Sequence, residues 1–332
     1  MNAPPPPHPS VSVIISCYRE DRFELLLAAI DSVLAQTSPP HELIVVVDHN
    51  DDLEQRVRRA RPRVAVVPSS EPPGPSGTRN VGVRVATGEV VAFIDDDATA
   101  EPDWLARLVE PYGDPAVVGV GGGAIPMWEG QEPAWFPAEF NWVIGCSWRG
   151  LPVVASTTRN LIGCNMSFRR FAYVEAGGLA NAFFFRDRKV VNEETEFSIR
   201  LVNTFPRSKL MFLPDVVVRH FVPHERTSVR YFVKRCWREG QAKRITVKKA
   251  GASVGLSPEW THVSRVIPSG IVEAIRAGFS GRPSALSRIP ALIVGTVATA
   301  IAFSIPSKIN GRERKSAPPH DDRMVQANRE KQ

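Results

Sequence analysis

Short, mainly apolar runs punctuate the first hundred positions: Val11-Ser-Val-Ile-Ile-Ser16, Glu42-Leu-Ile-Val-Val-Val47, Val64-Ala-Val-Val67 and Val90-Val-Ala-Phe-Ile94. Runs of that length predict strands buried on both faces. Between the first two, Phe23, Leu26, Leu27, Ile30, Val33 and Leu34 recur at helical spacing. They predict a helix to about Gln36, with Asp21 as its cap and Pro39 and Pro40 beyond its end. A short charged helix should follow the second strand. A third should run from Thr78 to about Ala86, after the breaker-rich loop Pro72-Pro-Gly-Pro-Ser-Gly77. Strands alternating with helices across short loops predict an α/β fold, a Rossmann-like, mostly parallel sheet sandwiched by helices.

Beyond residue 100 the pattern is looser. Val117-Val-Gly-Val-Gly-Gly-Gly reads as a strand running into glycines, which suit either a tight turn or close approach to a ligand. Residues 125–160 have no clear period. Leu210 to His220 reads as another strand, and Ser228 to about Lys249 as a basic amphipathic helix carrying Phe232, Cys236 and Trp237. Ile267 to Phe279 has an amphipathic pattern suited to a membrane interface. Ile289 to Ile305 is uncharged over about 17 residues, the short end of what a spanning helix needs.

The chain has 332 residues, 43% of them hydrophobic, enough for a sizeable core. Its formal net charge is +6. The excess of Lys and Arg lies largely in the C-terminal third, which points to a membrane surface or phosphates as partner. No nucleic-acid motif accompanies it, and no nucleic-acid partner is expected. Cys17, Cys146, Cys164 and Cys236 form no metal-site or disulfide spacing and are expected as buried free thiols. No secretory signal precedes the first strand, so the catalytic part is expected in the cytoplasm, at the cell membrane. The organisation expected is a disordered Pro-rich leader (1–9), one α/β domain (10–250, divided at about 100), a membrane-associated segment (251–306) and a disordered polar tail (307–332).

The chemistry concentrates where the fourth strand ends, in Asp95-Asp-Asp97. Side chains two apart on an extended backbone share a face, so Asp95 and Asp97 can converge while Asp96 turns away. Paired carboxylates at a strand's carboxyl end suit Mg2+ or Mn2+ bound together with phosphates. Asp48 ends the second strand in the same way. No Gly-x-Gly-x-x-Gly follows the first strand and no P-loop occurs, which disfavours hydride transfer and P-loop chemistry. A sugar-nucleotide pyrophosphorylase would need a glycine-rich basic loop where Cys17-Tyr-Arg-Glu20 stands.

The ordered set SVIISCYRE (12–20), SVLAQT (32–37), ELIVVVDHN (42–50) and GTRNVGVRVATGEVVAFIDDDA (77–98) resembles the nucleotide-sugar domain of family-2 inverting glycosyltransferases. The resemblance covers about residues 10–245. It implies a GT-A fold, a nucleotide-sugar donor and a divalent cation. By that resemblance Tyr18, Glu20 and Asp48 would meet the base and ribose. Arg79 would lie near the nucleotide, and Asp95 and Asp97 would be the Asp-x-Asp pair. Arg159 and Asn165, in RNLIGCNMSF (159–168), would contact the donor sugar, and Arg159 could pair with a carboxylate on it. NEETE (192–196) resembles the family's acidic helix start, with Glu194 where the family has Asp. Glu194 is then the expected base and Glu193 the fallback. His220, at a strand end, is a candidate third metal ligand. Trp128, Trp135, Trp142 and Trp148, with Phe136 and Phe140, are candidates for an acceptor-side wall.

Segments such as VVVDHN, WFPAEFNWVIGCSWRG and NEETE resemble most the transferases that add glucuronic acid to polyprenyl- or dolichyl-phosphate-linked glucose. The reading is therefore an inverting glycosyltransferase moving a sugar from a UDP-sugar, UDP-glucuronate as a candidate, to a lipid-linked or glycan acceptor at the membrane. An inert membrane-anchored sugar-nucleotide binder is the alternative of a different class.

Overall fold

The computed structural model describes residues 8–180, 183–185, 188–190, 193–250 and 259–305. The expected leader (residues 1–7 of it) and the polar tail lie outside them. The N-terminal part alternates as expected: β1 (Val11–Cys17), α1 (Phe23–Leu34), β2 (Glu42–Val47), α2 (Asp51–Ala60), β3 (Ala65–Pro68), α3 (Pro75–Val85) and β4 (Val90–Asp95). Then follow β5 (Ala98–Ala100), α4 (Trp104–Val109), β6 (Val117–Trp128), β7 (Ser156–Thr158), β8 (Asn165–Arg169) and α5 (Arg170–Glu175). A small hairpin, β9 (Phe183–Phe185) and β10 (Arg188–Val190), leads to α6 (Glu193–Thr204), β11 (Lys209–Val222) and α7 (Val229–Ala250). Two more helices close the described chain, α8 (Ile267–Phe279) and α9 (Arg288–Ser304).

The main sheet runs β3-β2-β1-β4-β8-β6-β11-β5, with β7 also on β11. Its first four strands are parallel. Beyond β4 it is mixed: β8 is antiparallel to both β4 and β6, β11 is parallel to β6, and β5 and β7 are antiparallel to β11. After β1 the chain winds outward through β2 and β3, then returns to β1's other side as β4. That reversal opens a crevice at the carboxyl ends of β1 and β4, where open α/β sheets bind ligands. In the register Ser16 lies opposite Asp95 and Cys17 opposite Val47.

Alternation along β1 explains the two main cores. Val13 and Ile15 face α1, α2 and α4 through Leu26, Ile30, Val57 and Trp104, whereas Ile14 faces the side of α3, α5 and α6 through Val81, Tyr173 and Phe197. Each such buried side chain contributes about 2 kcal/mol. A third cluster joins Phe136, Phe140, Val143 and Ile144 to Phe232 of α7 and Leu292 and Ala298 of α9. α9 lies close on α7: a Cβ at Gly240 would collide with the carbonyl of Thr299. Its other face leaves Ile293, Val294, Val297 and Ile301 exposed.

Some local expectations change. Asp21 does not cap α1, which starts at Phe23 with no side-chain cap; its carboxylate instead accepts from Arg19 Nε at 2.9 Å. The third helix starts earlier than the pattern suggested, with Pro75 in its first turn. The glycines of β6 make no turn. A Cβ at Gly122 would collide with the Val216 carbonyl and Asn165 Nδ2, so glycine there admits a neighbouring strand rather than a ligand. The four cysteines are free and buried, as expected.

Candidate active site

A cleft of about 1370 Å³ opens at the crevice. Ser16, Cys17, Tyr18 and Asp48 form one wall of it, reached by the ends of β1 and β2. Asp95, Asp96 and Asp97 leave β4 at its floor. β5 turns the chain back onto β11, pairing Ala98 with His220, and Phe221 N–H donates to Asp97 O at 2.7 Å. This pairing brings His220 to the aspartates. Ligating atoms of Asp95, Asp97 and His220 all lie within 4.8 Å of one another. Two carboxylates and an imidazole converging this closely fit a divalent cation such as Mn2+ or Mg2+, the imidazole leaning towards the transition metal.

His220 Nε2 stands 3.3 Å from Asp97 Oδ1, and its Nδ1 3.7 Å from Cys146 Sγ. Burial alone would lower the imidazole's pKa, but the bonds to Asp97 and Cys146 push it up to about 10. Burial would raise Asp97, yet His220, Arg22 and Arg226 hold it down at about 2. These contacts favour the ionic form of the pair, and a cation ligated by His220 would have to displace the imidazole proton. Asp96 stays out of the converging set but does not turn away from the cleft, which it also lines; it shares Arg22 Nη1 with Asp97, at 3.2 Å from its own Oδ1 and 2.8 Å from Asp97 Oδ2. Burial, with Asp97's charge added, raises the Asp96 carboxyl to about 7.

Arg79, buried on α3, links the two acidic groups. Its Nη2 donates to Asp95 Oδ1 at 2.8 Å and its Nη1 to Glu194 Oε1 at 3.4 Å. Burial pulls its pKa down, but those carboxylates raise it on balance. Glu193 and Glu194 open α6 and both line the cleft. Glu193 is buried and accepts from Ser76 Oγ at 3.4 Å. Glu194 keeps 20% of its side chain exposed. A helix start should lower its pKa. Burial, with Glu193's charge added, outweighs that and lifts Glu194 to about 7.

Not every expected residue arrives. Asn165 is fully buried and outside the cleft wall: it accepts from Trp104 Nε1 at 2.8 Å and donates to Gly123 O and Val216 O at 2.8 Å each. Its amide ties β8 to the neighbouring strands, which corrects the sugar-contact expectation. Glu20 also lies off the wall; Asn50 donates to it at 3.3 Å, and Arg56 is 3.9 Å away. Asp48 lines the cleft, but Oδ1 meets His49 Nδ1 at 2.7 Å and Oδ2 accepts from Gly74 N–H at 2.8 Å. It thereby anchors the loop before α3, where Gly74 takes φ +141°. Arg159 lines the cleft too, its guanidinium held by Glu259. Of the tryptophans, Trp142 and Trp148 line the cleft, whereas Trp128 and Trp135 pack around Phe136.

Three participants had no clear mark in the sequence. Arg22 sits 2.8 Å from Asp97 Oδ2, Arg226 lies 4.0 Å from the same oxygen, and Cys146 backs His220. A basic residue in the loop after the first strand, and one six positions past His220, are the only hints available.

The comparisons agree with this geometry. Residues 12–177 match the model of the family described as Glycosyl transferase family 2. The chain is 37% identical over 240 residues to the glucosyl-dolichyl phosphate glucuronosyltransferase of Haloferax volcanii, covering 71% of this chain and 76% of that one. It is 30% identical over 184 residues to the succinoglycan biosynthesis protein ExoM of Rhizobium meliloti, covering 55% of each. Among solved structures, a mannosyltransferase from Pyrobaculum calidifontis in complex with GDP-Man and Mn2+ superposes with a TM-score of 0.56 at 20% identity, over 89% of this chain and 88% of that one. That likeness concerns the fold, which is of the GT-A type. With the sheet's switch-point cleft, its convergent acidic floor and these matches, the chain belongs to glycosyltransferase family 2.

Proposed function

We propose that this glycosyltransferase is metal-dependent and inverting, and moves a sugar from a UDP-sugar, with UDP-glucuronate as first candidate, to a lipid-linked acceptor at the cytoplasmic face of the membrane. The convergence of Asp95, Asp97 and His220 carries the reading. These residues would hold Mn2+ or Mg2+, which when bound neutralises charge on the departing diphosphate. Tyr18 and Asp48 would receive the nucleoside, and Arg79 holds Asp95 and Glu194 in one frame. Glu194, at about 7, is poised to take the proton of an acceptor hydroxyl as it attacks the anomeric carbon from the face opposite the leaving diphosphate. Glu193 is the fallback. Trp142 and Trp148 offer ring faces to a sugar.

The glucuronate candidate draws support from the Haloferax volcanii relative's name and from the resemblance of the sequence segments. Arg159 lends less, since it already holds a protein carboxylate. Membrane attachment is supported by the helical run Pro283–Ser304, α9 with the turn before it, 22 residues containing an 18-residue window of mean hydropathy 1.7, long and apolar enough to cross a membrane. Its face packed on α7 and its exposed apolar face suit contact with lipid on one side only.

A screen of UDP- and GDP-sugars with membrane lipid extract, read by product mass, tests the proposal. A UDP-sugar that gives a glycosylated lipid is the expected result. Mn2+-dependent UDP-sugar binding with neither transfer nor donor hydrolysis would establish the inert binder instead.

A further inference from the structure

The cleft continues past the metal cluster to a second cluster that the transfer chemistry does not use. Arg159, on the loop after β7, donates to Glu259 through both guanidinium nitrogens, at 3.0 and 2.9 Å. Lys243 Nζ, on α7, donates to the same carboxylate at 2.8 Å. Glu259 is the first described residue of the C-terminal helical segment. All three are largely buried and all line the cleft. Burial would raise the Glu259 carboxyl, but Lys243 and Arg159 hold it at about 2. Arg238 of α7 also lines the cleft. A two-pronged guanidinium plus an ammonium is the geometry that recognises a phosphate as readily as a carboxylate. Thr296, Thr299 and Phe303 of α9, packed beside α7, also line the cleft, so this end lies against the apolar helix.

We propose that Arg159 and Lys243, with Arg238 of α7, form the binding site for the phosphate of a polyprenyl-phosphate-linked acceptor, and that Glu259 occupies this site until the phosphate displaces it. The inference rests on the lipid-acceptor reading above and adds the place where the acceptor is held. The reasons are physical. The floor of the cleft is acidic and repels a phosphate without a cation, whereas this end sets Arg159, Arg238 and Lys243 against Glu259 and against Glu239, whose Oε1 is 3.0 Å from Lys243 Nζ. This end also borders α9, whose exposed apolar face gives an isoprenoid chain a path out of the cleft. Glu259 keeps the cations paired when no ligand is present, which avoids leaving a buried charge uncompensated.

The test is equilibrium binding to the full chain in detergent. The probes are farnesyl phosphate, inorganic phosphate, farnesol, and UDP with Mn2+. Glu259→Gln removes the internal competitor and should tighten farnesyl phosphate about tenfold, leaving UDP–Mn2+ unchanged. Lys243→Gln should weaken farnesyl phosphate about tenfold. A parallel tightening of inorganic phosphate, with farnesol unmoved, supports a headgroup site. Unchanged or weaker farnesyl phosphate binding in a folded Glu259→Gln protein makes Glu259 a structural clip and overturns the proposal. Tightening of UDP–Mn2+ instead assigns the site to the donor and also overturns it. Should Glu259→Gln fail to fold, Lys243→Gln decides, and unchanged farnesyl phosphate affinity overturns. A wild-type protein that does not bind UDP with Mn2+ fails the transferase reading, an outcome separate from all of these.

Discussion

The donor end and the far end of the cleft are opposites in charge and in construction. At the donor end, Asp48, Asp95 and Asp97 sit on the tips of paired parallel strands, and Glu193 and Glu194 on a helix start beside them. Backbone register holds these groups, and Arg22, Arg79 and Arg226 only partly neutralise them. At the far end, Arg159, Arg238 and Lys243 project from a loop and a long helix, with Glu259 supplied from a separate helical segment. On the proposed reading, a diphosphate approaching the first end meets carboxylates and would need a cation. An anion approaching the second would replace Glu259, while Glu239 stays paired with Lys243 at 3.0 Å. On that reading, the difference would let one cavity receive two anionic substrates without one competing for the other's site.

The contrast breaks most visibly at Asp97→Ala. Loss of this carboxylate should lower transfer on the order of 10^3-fold and abolish the Mn2+ dependence of UDP binding. Equal donor affinity in titrations with and without Mn2+ in the wild type would remove the metal from the donor end. Glu194→Gln should cost about 10^2- to 10^4-fold in turnover while UDP–Mn2+ binding holds within about twofold. Near-normal turnover moves the base to Glu193 or elsewhere.

The pH profile sharpens the same point. A base works only when ionised, so a carboxyl raised to about 7 predicts that kcat/KM falls as pH drops through about 7. That limb should vanish from the residual activity of Glu194→Gln. The smallest effect belongs to the far end. Arg238→Gln should raise the acceptor's KM about fivefold and leave the donor's KM unchanged. A rise in the donor's KM instead would merge the two ends into one site.

Much of the donor end was legible because its signals are local. The strand β2 matches its apolar run residue for residue, and β1 and β4 do so within a residue. The aspartate triplet is a contiguous signal, but Asp96 and Asp97 lie in the turn after β4, so their directions are set by that turn and by Arg22 and His220 rather than by strand alternation. Asn165 shows where legibility stops. The motif placed it beside the donor sugar, but its amide satisfies buried groups on Trp104, Gly123 and Val216, contacts that only the folded sheet creates. Glu194 shows the same limit in electrostatics. A helix start predicts a lowered pKa, yet burial beside Glu193 reverses the sign.

By itself, the sequence determined the α/β order, the acidic strand ends, the family and the apolar C-terminal helix, because each depends on residues close together along the chain. Tertiary structure alone decided that His220 meets Asp97, through the antiparallel pairing of β5 with β11, and that Arg159 meets Glu259, a hundred positions away. Those partnerships follow from strand register and helix docking, which are set by the packing of the whole core and leave no periodic trace in the chain.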